Sequence, residues 1–101
     1  MPEKEYTWPA LVQDIGKEAA FWTLILYWEC EHSSQDITES LHLNNGLDIF
    51  DAQVYAEDVI PATNPDEWTG EDHSEWIRLR DNYRRELAEN MEAEERKRQQ
   101  F

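Results

Sequence analysis

Along the first third of the chain, apolar residues recur at three- and four-residue spacing. Trp8, Leu11, Val12, Ile15, Ala19, Trp22, Ile25 and Leu26 fall on one face of a helix. Phe21, Leu24 and Trp28 add a second face, so the segment is amphipathic in its first half and apolar nearly all round in its second. A helix of that kind is expected to be the central element on which the others pack. Thr7 before Trp8-Pro9 marks its start, because a proline in the first turn has no helical N–H bond to lose. Gly16 is where it can bend. A competing reading breaks the chain at Gly16 and makes residues 21–28 a buried strand, since Phe, Trp, Thr, Ile and Tyr all suit sheets.

Ser33-Ser34-Gln35-Asp36 has the form of a capping box and predicts a helix over about 34–43. That helix would bury Ile37 and Leu41 and stop at Asn44-Asn45-Gly46. The same stretch also reads as a hairpin, with Leu41 and Leu43 alternating before Asn45-Gly46 and Leu47 and Ile49 after it. Leu47, Phe50 and Val54, flanked by Ala56 and Ile60, continue a helical spacing for longer than the alternation lasts, which favours a helix. Pro61-Ala62-Thr63-Asn64-Pro65 reads as a linker, followed by a short turn over 66–70. From about Glu71 a long last helix is expected, with Trp76, Leu79, Tyr83, Leu87 and Met91 as its apolar stripe. Asp81 with Arg85, Glu92 with Arg96 and Glu94 with Arg98 are acid-first pairs at i, i+4 that support such a helix. After Met91 the stripe fades, so 92–101 reads as an extended helical tail. The expectation is a mainly α, single-domain bundle of about four helices over residues 1–101, with an internal linker at 61–70. The alternative is an α+β fold with a hairpin at 37–55.

Charge changes this picture from a fold into a candidate function. The chain of 101 residues carries 23 Asp and Glu against 9 Lys and Arg, net −14. The excess is regional: residues 1–75 hold 17 acids and 2 lysines, whereas 76–101 hold 6 acids and 7 bases. No Lys or Arg lies between Lys17 and Arg78. A field of that sign repels nucleic acid and anionic membranes and attracts a basic partner. The 12% aromatic content, five Trp among it, is too high for a disordered chain. Cys30 is the single cysteine, so no internal disulfide forms. The near-apolar run at 19–28 is half the roughly 20 residues a membrane helix needs. Met1-Pro2-Glu3-Lys4-Glu5 lacks the form of a signal peptide, and the expected compartment is the cytoplasm.

Catalytic chemistry finds little support. No nucleophile elbow, phosphate-cradling loop, His-Glu-x-x-His or dinucleotide fingerprint occurs, and no enzyme activity, cofactor or metal is expected. Glu29, Cys30, Glu31 and His32 are potential ligands, but neighbours on a helix point apart, and Cys30 reads as a small core residue. His73-Ser74-Glu75 reads as a helix start, with Asp72 or Ser74 as N-cap. Residues 34–44 resemble the first helix and turn of a helix-turn-helix unit, with His42 where that unit carries glycine. The second helix, over 47–58, would present Asp48, Asp51, Glu57 and Asp58 where a DNA reader needs Arg, Lys, Asn or Gln, so direct DNA binding is not expected.

The carboxylate array is the remaining candidate. Duplex DNA carries about one charge per 1.7 Å of axis, so fourteen net charges match roughly 24 Å of duplex. A domain of this length is roughly 30 Å across. In size, charge and lack of catalytic motifs the chain resembles the acidic nucleic-acid-mimicking inhibitors that phages and mobile elements use against nucleases, restriction enzymes and CRISPR effectors. The expected partner surface comprises Glu29, Glu31, Asp36, Glu39, Asp48, Asp51, Glu57, Asp58, Asp66, Glu67, Glu71 and Asp72, facing the basic surface of a nucleic-acid-binding protein. Trp68 or Tyr55 would supply an aromatic anchor. The alternative is a structural adaptor or assembly chaperone whose last helix pairs with a larger subunit or with itself as a homodimer.

Overall fold

Thr7 opens the first helix with its hydroxyl oxygen accepting from the Ala10 N–H at 3.2 Å, and Pro9 sits in the first turn, where its missing N–H costs nothing. That helix, α1, runs Trp8–Ile15 and stops at Gly16, whose φ of 90° and ψ of 155° no helix tolerates. A second helix, α2, then covers Lys17–Leu24 and continues as a π-helical turn over Ile25–Glu29, closed by the Cys30 N–H donating to the Ile25 carbonyl at 3.0 Å. Glu31, with φ 56°, turns the chain left-handed after it. The computed structural model describes residues 5–99. Met1-Pro2-Glu3-Lys4 and the last two residues of the predicted tail at 92–101 lie outside them, as do the side chains from Arg96 onward.

The capping box at Ser33 forms as its sequence predicts. The Asp36 N–H donates to Ser33 Oγ at 3.2 Å, and the Ser33 N–H donates to Asp36 Oδ2 at 3.3 Å. Helix α3 spans Ser34–Asn45 and ends at Gly46 in the left-handed conformation, φ 73°, ψ 15°. The His42 ring donates from Nδ1 to the Leu47 carbonyl at 2.7 Å across the turn; His42 itself lies inside α3, and the glycine of the turn is Gly46. Helix α4, Ile49–Val54, is capped by Asp48 and passes into a second π-helical turn over Tyr55–Val59. No strand forms among the described residues, so neither the hairpin around Asn45-Gly46 nor a strand at 21–28 exists.

The chain divides into two compact units at Pro65 and Asp66. In the first unit α3 touches both α2 and α4, and α1 packs on α2. The π turn extending α2 contributes Ile25 to the core, and α2 itself contributes Ala20, Phe21 and Leu24. Ile37 and Leu41 enter from α3, and Ala52, Tyr55, Ala56, Val59 and Ile60 from α4 and its π turn. Thr23 is buried with its hydroxyl donating to the Ala19 carbonyl at 2.9 Å, which satisfies it within its own helix. Within the expected linker at 61–70, Thr63 is tied back into this unit, because the Trp28 indole N–H donates to its carbonyl at 3.0 Å.

The apolar stripe read across residues 8–26 is a single face only if the helix is unbroken. The break at Gly16 resets its phase, so that α2 buries Phe21 and leaves Trp22 44% exposed. Cys30 is half-buried, not a core residue.

The chain passes from the first unit to the second in a 3₁₀ turn, Pro65–Glu67, and in the second unit α5 runs Gly70–Gln99, thirty residues or about 45 Å at helical rise. The helix starts ahead of the expected caps: Ser74 is inside it, with its hydroxyl donating to the Gly70 carbonyl at 3.3 Å. Trp68 meets Trp76 edge-on at 6.5 Å between ring centres. Trp76 is buried and Leu79 and Tyr83 are half-buried, whereas Leu87 and Met91 stand 46% and 58% exposed. Arg80 bridges Asp66 at 3.4 Å and Asp81 at 3.6 Å, and Arg85 donates to Asn82 at 2.7 Å.

Candidate partner-binding surface

The expected carboxylates do two kinds of work. Some of the twelve are tied into the fold, among them Asp36 in the capping box, Asp48 as the α4 cap, Asp51 accepting from the Tyr6 hydroxyl at 2.7 Å, Glu57 accepting from Gln53 at 3.3 Å, and Asp66 against Arg80. Each of these keeps acceptor capacity, since an ionised carboxylate offers about four lone-pair positions. Glu31, Glu39, Asp58, Glu67, Glu71 and Asp72 are exposed, and Glu29 is half-buried. Eight of the twelve, from Glu29 to Asp58, belong to the first unit, and Asp66, Glu67, Glu71 and Asp72 belong to the second.

Helical spacing places some of them together. Asp36 and Glu39 are three residues apart on α3, so their side chains share one face. Asp48 and Asp51 stand in the same relation at the start of α4, where the positive end of the helix dipole favours them. Glu57 and Asp58 are adjacent on the π turn and both exposed.

Beside the α3 pair the surface is concave. An open groove of about 490 Å³ runs between α2 and α3. Ala19, Trp22, Thr23 and Leu26 form its α2 side, Asp36, Glu39, Ser40, Leu43, Asn44 and Asn45 its α3 side, and His32 also lines it. Leu43 is 74% exposed, the most exposed large apolar residue described. Carboxylates beside unburied indole and leucine surface make a place where charge can draw a partner in and apolar contact can hold it.

The expected aromatic anchors differ from those the fold presents. Tyr55 is fully buried: its ring stands edge-on to Tyr6 at 5.2 Å and its hydroxyl donates to Asp14 at 2.8 Å, so it cannot meet a partner. Trp68 is half-buried against Trp76. Exposure falls instead on Trp22, Leu43, Ile49 and Phe50. For Leu43 a signal was available, because it lies two residues past Leu41, about 200° round the helix from the buried Ile37–Leu41 stripe.

Among the described residues no three His, Cys, Asp or Glu side chains converge as metal ligands do, and no helix is long and apolar enough to cross a membrane. Compared with known protein families, curated proteins and solved structures, the chain matches none.

Proposed function

We propose that this protein works by binding and not by catalysis, as an acidic mimic of nucleic-acid charge that occupies the basic groove of a nuclease, restriction enzyme or CRISPR effector, in the manner of a phage or mobile-element inhibitor. The observation that carries this reading is the concentration of charge in one small helical unit. Residues 1–65 hold 12 Asp and Glu against 2 Lys, net −10, and most of these carboxylates are exposed. Keeping so many like charges together costs stability through self-repulsion, a cost that a cationic partner relieves. Association driven by such a field is fast and salt-sensitive.

The test is capture of host proteins on the tagged chain at low salt, elution between about 0.3 and about 0.6 M NaCl, where exposed charge pairs are heavily screened, and competition with duplex DNA. A nucleic-acid-binding protein that elutes in this window and is displaced by DNA supports the reading. A partner that survives high salt and ignores DNA refutes it.

A second reading is favoured by one observation, the exposure of Leu87 and Met91 on the far half of the α5 stripe. An adaptor or assembly chaperone would use that stripe to pair with a larger subunit or with a second copy, the acidic first unit serving only solubility. Removing residues after about position 90 separates the two: inhibition by a mimic persists, whereas assembly through α5 is lost.

A further inference from the structure

We propose that the groove between α2 and α3 is a docking site for an amphipathic helical segment of a basic protein, seating its apolar side chains between Trp22 and Leu43 and its Lys or Arg side chains on Asp36 and Glu39. This deepens the charge-mimic reading and rests on it, by naming where a basic partner is held once charge has brought it close. Three observations select this occupant. The groove is walled by two helices, and no strand edge among the described residues is available for an extended peptide, so helix-in-groove recognition is the mode that fits. Its volume, about 490 Å³, lies within the roughly 300–1,000 Å³ of clefts that take a drug-sized group, enough for a few side chains and not for a whole helix. Its charge is of one sign: Asp36 and Glu39 are its only Asp, Glu, Lys or Arg lining residues, and Asn44, Asn45 and Ser40 complete a polar rim. A purely apolar occupant would partly desolvate those carboxylates and bring no cation to offset the cost. A purely cationic one would leave Trp22 and Leu43 uncovered.

Leu43 is the residue to change, because it is exposed and off the core stripe, so that Leu43→Asp removes apolar contact without touching the fold. Glu39→Lys does the same for charge. The probe is a fluorescent synthetic peptide of about sixteen residues with Leu at i, i+3, i+4 and i+7 and Lys or Arg between, compared with its scrambled isomer of identical composition. Both are titrated against the full chain at about 0.15 M NaCl, with amide and indole NMR shifts mapping the contact. Tighter binding of the amphipathic peptide is expected, with shifts at Trp22, Leu43 and Asn44. Leu43→Asp and Glu39→Lys should each weaken it about tenfold, the effect of one residue at the centre of a desolvated contact, while circular dichroism and melting stay unchanged. If both peptides bind equally and Leu43→Asp has no effect, the groove is not the docking site and the charge reading stands alone. If neither peptide binds, the groove proposal falls, and the fate of the charge reading is decided separately by DNA-competed capture of the partner.

Discussion

Replacing Gly16 by alanine has a different sign in the observed fold and in the fold that apolar periodicity alone predicts. If residues 8–28 formed one helix, Gly16 would be an interior helical glycine, and alanine would stabilise it by about 0.8–1 kcal/mol. In the structure Gly16 has φ 90° and ψ 155°, a region open essentially to glycine alone, where any other residue costs about 1–3 kcal/mol. A Cβ built there meets nothing within 4 Å, so no collision contributes and the whole penalty is backbone strain. At about 4–8 °C per kcal/mol for a domain near this size, Gly16→Ala should lower Tm by at least about 4 °C. Equilibrium urea unfolding followed by circular dichroism gives the free-energy change directly, and an unchanged m value would confirm that the unfolded surface is the same. Gly46 is the internal control. Its φ of 73° and ψ of 15° lie in the ordinary left-handed well, which asparagine tolerates. Gly46→Asn should therefore be milder than Gly46→Ala, whereas Gly16→Asn should be no milder than Gly16→Ala. A stabilising Gly16→Ala would refute the break between α1 and α2, and with it the outward placement of Trp22 that builds the groove.

Tyr55→Phe should cost about 1.5 kcal/mol, the low end for a hydrogen bond to a charged group, because the exposed Asp14 it leaves behind is rehydrated. In a double-mutant cycle with Asp14→Ala, a coupling under about 0.3 kcal/mol would show that the bond contributes nothing. Ser33→Ala should destabilise by about 1 kcal/mol through loss of the α3 cap, read by urea unfolding; no change would mean that the box does not hold the helix start. Affinity for a basic partner should fall steeply between about 0.05 and about 0.3 M NaCl, measured by titration calorimetry, and a flat salt profile would remove charge as the driving term.

Helix starts and stops were legible along the chain because they are local chemistry. Thr7 with Pro9, Ser33 with Asp36, and Gly46 satisfy or end the backbone within a few residues of themselves, and each acts where its sequence placed it. Local too was the choice of helix over hairpin at 37–50, since a helical face persisted there longer than an alternating one. The exposure of the acidic side chains followed from the cost of burying charge. What the sequence could not show was phase. The π turns at Ile25–Glu29 and Tyr55–Val59 each insert a wider turn with no distinguishing residue type, and Glu31 turns left-handed without a glycine to announce it. Gly16 was visible as a weak point, but whether a glycine bends a helix or ends it depends on which face its neighbours can bury. That choice left Trp22 at the surface, and contact with the Tyr6 ring and with Asp14 of α1 took Tyr55 from a plausible anchor to a core residue. Net charge and helix content belong to the sequence because each residue contributes its own share. The groove belongs to the tertiary structure, because it exists only where α2 and α3 meet, and no window along the chain contains both of its walls.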